Sequence, residues 1–190
     1  MKYIDSQLLD RVKSLPSFTH LPDYLLIGVR SKADAFDKFD DKFYLFVKGV
    51  FYTSCTGTTN CGKTVLQGGW KKYNNLGAAL IKSDEIYYDV YQYGLHKAKM
   101  PALRQIKAMK YYRDADNDTL SEEQGTVYTG IYNTNFHFND YDIHSPMEKQ
   151  TIGGWSAGCQ VANQSEGYNK IINKCRDDKA LVTYALLKEF

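Results

Sequence analysis

The pattern of apolar and polar residues predicts many short strands with one helix near each end of the chain. Residues 5–15 carry apolar side chains at helical spacing and stop before Pro16. Residues 165–174 form a second amphipathic pattern, with Ser165 as a candidate N-cap. The other apolar segments are rich in tyrosine, phenylalanine and valine and partly alternate, which is typical of half-buried strands. These predicted strands span residues 24–30, 42–54, 86–93, 108–113, 126–132, 134–138 and 179–187.

This order of elements indicates a mainly β protein of the α+β class, because strands and helices do not alternate as they do around a parallel sheet. Gly49 indicates a turn or bulge inside the segment 42–54. The 190 residues suffice for one well-buried domain, and no Pro-, Gly- or Ser-rich stretch marks a boundary. We expect residues 41–190 to form the main domain and residues 1–40 to be an N-terminal helical extension packed on it.

Composition narrows the possible partners. The net charge is only +2, and lysines and arginines are mixed with acids along the chain, so no clustered basic face for nucleic acid is predicted. A hydrophobic content of 43% and a charged content of 24% are those of an ordinary folded protein. No apolar run is long enough to cross a bilayer, so we expect no membrane span.

The most informative stretch, residues 153–161, holds Cys159 between small residues, and His137 lies 22 positions before this cysteine. A thiol is a strong nucleophile only as the thiolate, which a nearby imidazole can promote. Ala157 and Gly158 let a substrate carbonyl approach and leave backbone N–H groups for a developing oxyanion. The pattern predicts a cysteine acyl transferase, although one cysteine and one histidine at this spacing also fit a buried structural thiol.

The segment Ser156-Ala157-Gly158-Cys159, preceded by His137, resembles the signature of the L,D-transpeptidase catalytic domain. In that signature a histidine is followed, after fifteen to eighteen residues, by Ser/Thr-His-Gly-Cys. Eighteen residues separate His137 from Ser156 in this chain. The spacing therefore agrees with the family pattern.

Two further segments, residues 94–103 and 127–131, resemble the phage-type and phage-related branch of that family. The resemblance covers about residues 45–175. One position departs from the usual signature, because Ala157 replaces the histidine before Gly-Cys. The Ser-Ala-Gly-Cys form resembles a recurring variant of the same branch, and His137 is then the only candidate base.

The resemblance implies an L,D-transpeptidase-like β-sandwich with short helices, and a catalytic domain over residues 41–190. It implies that Cys159 attacks a carbonyl of a peptidoglycan stem peptide, expels D-alanine and becomes a thioester. His137, oriented by a backbone carbonyl, is the expected base, and the N–H groups of Cys159 and Gly158 are the expected oxyanion donors. No metal or organic cofactor is expected. An amine acceptor gives a transpeptidase and water gives an L,D-carboxypeptidase or endopeptidase, and both stay open.

Three more residues are candidates for contacting the substrate. His96 lies in the segment that resembles the branch, and Trp155 and Ala157 adjoin the candidate nucleophile. Each also fits a packing or surface role. His144 lies too close to the cysteine in sequence and His20 lies outside the matched region, so neither is the expected base. The loss of the second histidine leaves open a catalytically inactive peptidoglycan-binding module.

Residues 57–64 match the Walker A pattern, so a nucleotide-binding protein is the rival from another class. A phosphate loop needs a helix that begins at Lys63-Thr64. The adjacent Gly68 and Gly69 oppose a long helix there, because each glycine destabilises a helix by about 1 kcal/mol. We favour a glycine- and threonine-rich turn between strands.

Residues 114–120 carry carboxylates at alternate positions, like the start of a calcium loop. Thr119 stands where that loop needs glycine, and Gly125 stands where it needs a bidentate glutamate. A solvated turn is the favoured interpretation, and a structural calcium is the alternative.

The four cysteines show no metal-binding spacing. Cys55 and Cys61 can bridge a turn or stay free and partly buried. The first thirty residues lack the basic, apolar and small-residue order of a secretory signal. Because the expected substrate is the bacterial cell wall, this favours a phage-encoded protein that is released from the cytoplasm or delivered by the virion.

Overall fold

The computed structural model of the protein describes residues 3–33 and 35–190. Residues 1, 2 and 34, which belong to the predicted extension 1–40, lie outside the described residues. The helices are α1 (Asp5–Lys13), α2 (Lys63–Leu66), a 3-10 helix (Gly69–Lys72) and α3 (Ser165–Asp177). The strands are β1 (Tyr24–Arg30), β2 (Asp41–Val47), β3 (Val50–Thr58), β4 (Ala78–Ile81), β5 (Glu85–His96), β6 (Met100–Gln105), β7 (Met109–Asp114), β8 (Tyr128–Gly130), β9 (Phe136–Phe138), β10 (Gln160–Ala162) and β11 (Leu181–Lys188).

Eight strands close into a barrel in the order β1-β11-β5-β6-β9-β10-β3-β2, and the order of the smaller sheet is β4-β7-β8. The barrel is joined between β6 and β9 through one register pair, Leu103 with Phe136. Ala79 and Tyr111 of the smaller sheet share one apolar core with these two residues. The mainly β class with short helices is confirmed. Its main sheet is closed, whereas the resemblance implied a sandwich.

Strand β1, which lies within the predicted extension 1–40, is part of the barrel. Strand β1 pairs in parallel with β11 and antiparallel with β2. Alternate residues of β1, such as Leu25 and Ile27, pack against Leu8 of α1, while Leu26 faces the main core. Side chains of this size contribute about 1.5–3 kcal/mol each when fully buried. Helix α1 therefore covers the outer face of β1, and a boundary at residue 40 separates two paired strands.

Several predicted elements are confirmed and others differ. Strand β1 has the predicted bounds, and the segment 42–54 is a hairpin whose turn contains Gly49 at φ +76°. Helix α3 begins at Ser165, so Gln164, with extended φ −119° and ψ 113°, is the N-cap and the prediction for Ser165 is wrong. Strands β4, β6 and β10 were not predicted: β4 and β10 are short, and β6 contains Pro101.

Candidate active site

Strand β9 sets the direction of His137. Its neighbours Phe136 and Phe138 both pack on Tyr168 of α3, with ring centroids 5.4 and 5.2 Å away. Side chains alternate between the faces of a strand, so His137 points to the opposite face. The aromatic packing of Phe136 and Phe138 on α3 thus fixes the direction of the imidazole between them.

The protonation of His137 follows from its partners. Its Nδ1 lies 2.7 Å from the carbonyl oxygen of Phe138, and a carbonyl only accepts hydrogen bonds. Nδ1 therefore carries the proton in the neutral ring, and Nε2 carries the lone pair. This Nε2 is buried and has no hydrogen-bond partner in the part of the chain that the structure describes. The expected orienting carbonyl is that of Phe138.

His96 stacks on His137, with ring centroids 4.1 Å apart and planes inclined by 23°. Asn135 fixes the other side of His96. The Asn135 Oδ1 accepts the Gln105 N–H at 2.9 Å, so its Nδ2 donates to His96 Nδ1 at 3.1 Å. Asn135 is a site residue that sequence reasoning missed. Its position, two residues before His137 in a strand-like segment, was the signal that could have identified it.

A hydrogen-bonded turn holds the loop before Cys159. The buried Ser156 hydroxyl donates to the Cys159 carbonyl at 2.8 Å and accepts the Gly158 N–H at 3.3 Å. Gly158 has φ +119°, and a Cβ there would lie 2.6 Å from the Ala79 carbonyl oxygen. The Gly158 N–H, a predicted oxyanion donor, is therefore engaged within the loop. The Cys159 N–H makes no hydrogen bond among the described residues.

The Cys159 thiol is half-buried, and Sγ lies 3.7 Å from the carbonyl oxygen of Asn133, to which it donates. Desolvation raises the pKa of this thiol to about 11, and the Asn135 N–H and the Lys97 ammonium oppose the rise. Burial lowers the pKa of His137 to about 3, and the neighbouring His96 and Lys97 act in the same direction. Both side chains are therefore neutral at pH 7.

The thiol opens onto a cavity of about 970 Å³. The cavity is lined by Lys72, Tyr73, Asn74, Ala79, Leu95, His96, Lys97, Ala98, Arg104, Arg113, Tyr132, Asn133, Thr134, Asn135, Gly154, Trp155, Ala157 and Cys159. Of the substrate-contact candidates, His96, Trp155 and Ala157 all lie on this wall. Trp155 also packs on Tyr141, with ring centroids 5.6 Å apart, and Lys149 Nζ lies 4.2 Å from its ring centroid. Its indole is thus both a packed side chain and part of the cavity wall.

His96, His137 and Cys159 have the donor types that bind zinc, and one ligand atom from each lies within 4.8 Å of the others. The lone pairs of imidazoles lie in the ring planes. Because these two rings stack, their lone pairs do not converge on one point, and His96 Nδ1 already accepts the Asn135 amide. The stacked arrangement of the two rings is therefore poorly suited to shared coordination of one metal ion.

The acidic segment 114–125, for which a solvated turn is the favoured interpretation and a structural calcium the alternative, contains a second group of possible ligands. Asp116, Asp118 and Glu122 offer oxygens within 4.8 Å of one another, mostly at the surface. Burial raises the pKa of Asp114, beside them, to about 6, and Asp116 adds to that rise. Carboxylates this close together are common in exposed acidic turns that bind no ion.

The Walker-like segment 57–64 is folded inward. Helix α2 begins at Lys63, which the sequence did not predict, but it ends after one turn at Leu66. The backbone N–H groups that would bind a phosphate already donate to protein oxygens: Thr59 to Asp41, Gly62 to Ser156, Lys63 to Asp37 and Thr64 to Gly153. The loop braces the segment before Cys159 instead of leaving its donors open to a ligand.

Cys55, Cys61 and Cys175 are buried and free, so the structure contains no bridge between Cys55 and Cys61. His20 stacks on Tyr88, while His144 contacts Asn169 at the surface. Neither is among the residues that line the cavity at Cys159.

Comparison with known proteins adds no relative: the chain matches no protein-family model, no curated protein and no solved structure. No helix in the described ranges has the length and apolar character needed to cross a membrane.

Proposed function

We propose that the protein is a cysteine acyl transferase of the L,D-transpeptidase type that acts on peptidoglycan stem peptides. The observation that carries the proposal is the oriented His137, which has an unpartnered Nε2 and a ring nitrogen within 4.8 Å of the Cys159 sulfur. Cys159 itself lines the large cavity. This is the arrangement that nucleophilic catalysis by a thiol needs. The choice of substrate rests on the resemblance of the segment 156–159 and its spacing from His137.

In the acylation step, the Cys159 sulfur forms a bond to the substrate carbonyl carbon while its proton moves to His137 Nε2. The oxyanion of the tetrahedral intermediate is met by the Cys159 N–H. Collapse then breaks the carbon–nitrogen bond, and His137 returns the proton to the departing amine of D-alanine. The stem peptide remains as a thioester on Cys159.

Deacylation repeats these roles with a second nucleophile. His137 Nε2 accepts a proton from water or from an amine as it attacks the thioester, and the thiolate leaves and recovers that proton. Water gives a carboxypeptidase or endopeptidase, and an amine gives a transpeptidase. The wide cavity beside Cys159 is consistent with either acceptor.

A second candidate function is a peptidoglycan-binding module without catalysis. The raised pKa of the Cys159 thiol favours it, because a thiol that stays protonated is a poor nucleophile. Under the catalytic proposal, a neutral thiol and a neutral imidazole react only when a bound carbonyl receives the sulfur as the proton leaves.

Purified tetrapeptide stems and cross-linked dimers, incubated with wild type and with Cys159→Ala, test the proposal by mass spectrometry. Loss of D-alanine or splitting of dimers indicates a hydrolase, and new cross-links indicate a transpeptidase. Cys175→Ala is the matched control, since it removes a buried thiol that does not line the cavity. Unchanged substrates with the wild type, together with measurable binding, would support the binding module instead.

A further inference from the structure

Residues 133–135 form a tight turn beside Cys159, immediately before strand β9. The Asn135 N–H donates to the Asn133 carbonyl at 3.0 Å across a single residue, an arrangement that is common at the ends of strands. Asn133 has φ +57°, in the left-handed region, which asparagine adopts more readily than most residues. The Cys159 thiol donates to the same carbonyl, with Sγ 3.7 Å from the oxygen. One backbone oxygen thus accepts both a neighbouring N–H and the thiol.

Buried side chains hold this turn in place. Gln105 Oε1 accepts the N–H groups of Tyr132 at 3.0 Å and of Thr134 at 3.2 Å. The Tyr91 hydroxyl donates to the Thr134 carbonyl at 2.8 Å. Gln105, Thr134 and Tyr91 are all buried. The peptide groups on both sides of Asn133 are therefore anchored, which keeps its carbonyl directed at the sulfur.

The thiol and the imidazole of His137 are not hydrogen-bonded to each other. A ring nitrogen of His137 lies within 4.8 Å of the Cys159 sulfur, yet Nε2 has no hydrogen-bond partner in the described ranges. A thiol has one proton to donate, and here it is directed to Asn133. Transfer of that proton to Nε2 therefore requires the S–H group to leave the carbonyl first, by rotation about a side-chain bond of Cys159.

The turn offers a partner to each protonation state of the sulfur. The Asn133 carbonyl only accepts hydrogen bonds, so it stabilises the protonated thiol. The Asn135 N–H only donates, and it opposes the rise in the pKa of Cys159 because it favours the thiolate. A hydrogen bond to the neutral form of a group disfavours its charged form, so the carbonyl keeps the proton on the resting sulfur.

We propose that Asn133 is a positioning residue whose backbone carbonyl holds the resting Cys159 thiol away from His137. The S–H group must turn from this carbonyl to Nε2 before the sulfur attacks a substrate. The inference rests on the proposed function for the reaction that follows, whereas the resting contact is independent of the substrate. Asn133 is exposed on the cavity wall, so a ligand that fills the cavity meets this turn. The nucleophile is thereby kept protonated until its substrate is present.

The test is infrared spectroscopy of the Cys159 S–H stretch, obtained as the difference between each protein and the same protein with Cys159→Ala. Asn133→Val adds a β-branched side chain that disfavours a positive φ and so turns the carbonyl, whereas Asn133→Gly keeps this backbone conformation. We expect the band to shift in Asn133→Val and to stay in place in Asn133→Gly. It should also stay in place in His137→Gln, because the resting proton is not directed to His137.

Alkylation by iodoacetamide at pH 7 is the second measurement. Asn133→Val removes the acceptor of the thiol, so the thiolate fraction and the rate should rise about 2- to 10-fold, as expected for the loss of one hydrogen bond. Asn133→Gly should react at the rate of the wild type. Circular dichroism establishes that each variant is folded. If Asn133→Val does not fold, a wild-type band at the frequency of a hydrogen-bonded thiol, unchanged in His137→Gln, supports the inference.

An unchanged band in folded Asn133→Val, or a shifted band in His137→Gln, would overturn the inference. Acylation of Cys159 by the stem peptide is recorded by mass spectrometry on the wild type. A band that depends on Asn133, without acylation, means that the proposed function fails while the resting contact stands. Acylation together with a band that does not depend on Asn133 means the reverse.

Discussion

The rings of His96 and His137 stack at 4.1 Å, and this contact is part of what keeps His137 out of water. Each histidine is held by a different partner, His96 by the Asn135 amide and His137 by the Phe138 carbonyl. Burial is the main reason that the pKa of His137 is lowered to about 3. His137 is therefore already unprotonated across the range in which an ordinary histidine titrates.

Removal of the His96 ring should change the pH dependence of catalysis. In the wild type, kcat/KM for D-alanine release should not fall as the pH drops through 6.5, because His137 protonates only near pH 3. His96→Ala admits water, which raises the pKa of His137 toward its usual value and moves the acid limb up by about 1–2 pH units. His96→Phe keeps a stacked ring, so the acid limb of kcat/KM should stay at low pH.

Circular dichroism at each pH is the control for this profile. Both histidines have depressed pKa values in the folded protein, so their contribution to stability is present above about pH 6.5, the usual histidine value, and is lost as the pH falls toward 4 and 3. Only pH values at which all variants remain folded count. An identical acid limb in His96→Ala and the wild type would contradict the role of burial.

Gly158 and Gly154 offer a matched pair of substitutions in the same loop. Gly158→Ala places a methyl group 2.6 Å from the Ala79 carbonyl oxygen at a positive φ, and should lower the free energy of unfolding by about 2–4 kcal/mol. A Cβ at Gly154 meets nothing within 4 Å, so Gly154→Ala should leave stability unchanged. Urea unfolding of both variants checks this, and similar midpoints would show that the loop relaxes around the added methyl.

Ser156 is a positioning residue for Cys159. Ser156→Ala leaves the Gly158 N–H and the Cys159 carbonyl without their buried partner, so it should lower the free energy of unfolding by about 1–3 kcal/mol. Activity should fall through kcat more than through KM, because the thiol is displaced while the cavity wall stays. Thermal unfolding and steady-state kinetics measure both effects, with the exposed Ser6→Ala as the control. A rise in KM with an unchanged kcat would instead mean that Ser156 acts in substrate binding.

The sequence predicted the parts of the fold and site that depend on local pattern. The motif and its spacing paired His137 with Cys159, and in the structure a ring nitrogen of His137 lies within 4.8 Å of the Cys159 sulfur. No local feature of the sequence determines that distance. Strand β10 has three residues and a buried Gln160, so only its pairing with β3 and β9 defines it. Strand β6 contains Pro101, which weakens a strand pattern.

The basic wall of the cavity could not be predicted for a similar reason. Its four basic residues are spread from position 72 to position 113. Lys72 ends the 3-10 helix, Lys97 lies in the β5–β6 turn, and Arg104 and Arg113 lie on β6 and β7, so only the fold places them on one wall. The net charge of +2 hides them, because acids elsewhere in the chain balance the total. The engaged N–H of Gly158 likewise depends on a side chain two residues away, and a motif does not specify such a contact.

The resting thiol should alkylate slowly at neutral pH. Because the pKa of Cys159 is raised to about 11, the thiolate fraction and the rate with iodoacetamide should rise about tenfold per pH unit from pH 7 to pH 10, with no plateau near neutrality. His137→Gln should leave this rate unchanged, since the resting imidazole and thiol are both neutral. Cys159→Ser supplies the background from the three buried thiols. A plateau below pH 8 would mean a resting ion pair.

The rate of Cys159 alkylation by iodoacetamide should be compared with the acylation of Cys159 by the stem peptide. A transferase whose proton moves only during attack should be inert to iodoacetamide at pH 7 and still gain the mass of an acyl group on Cys159 when the peptide is added. His137→Gln should abolish that mass gain while leaving alkylation as it was. If neither the wild type nor the variant is acylated, the neutral pair is simply a half-buried thiol beside a buried imidazole, and the cavity binds its ligand without chemistry.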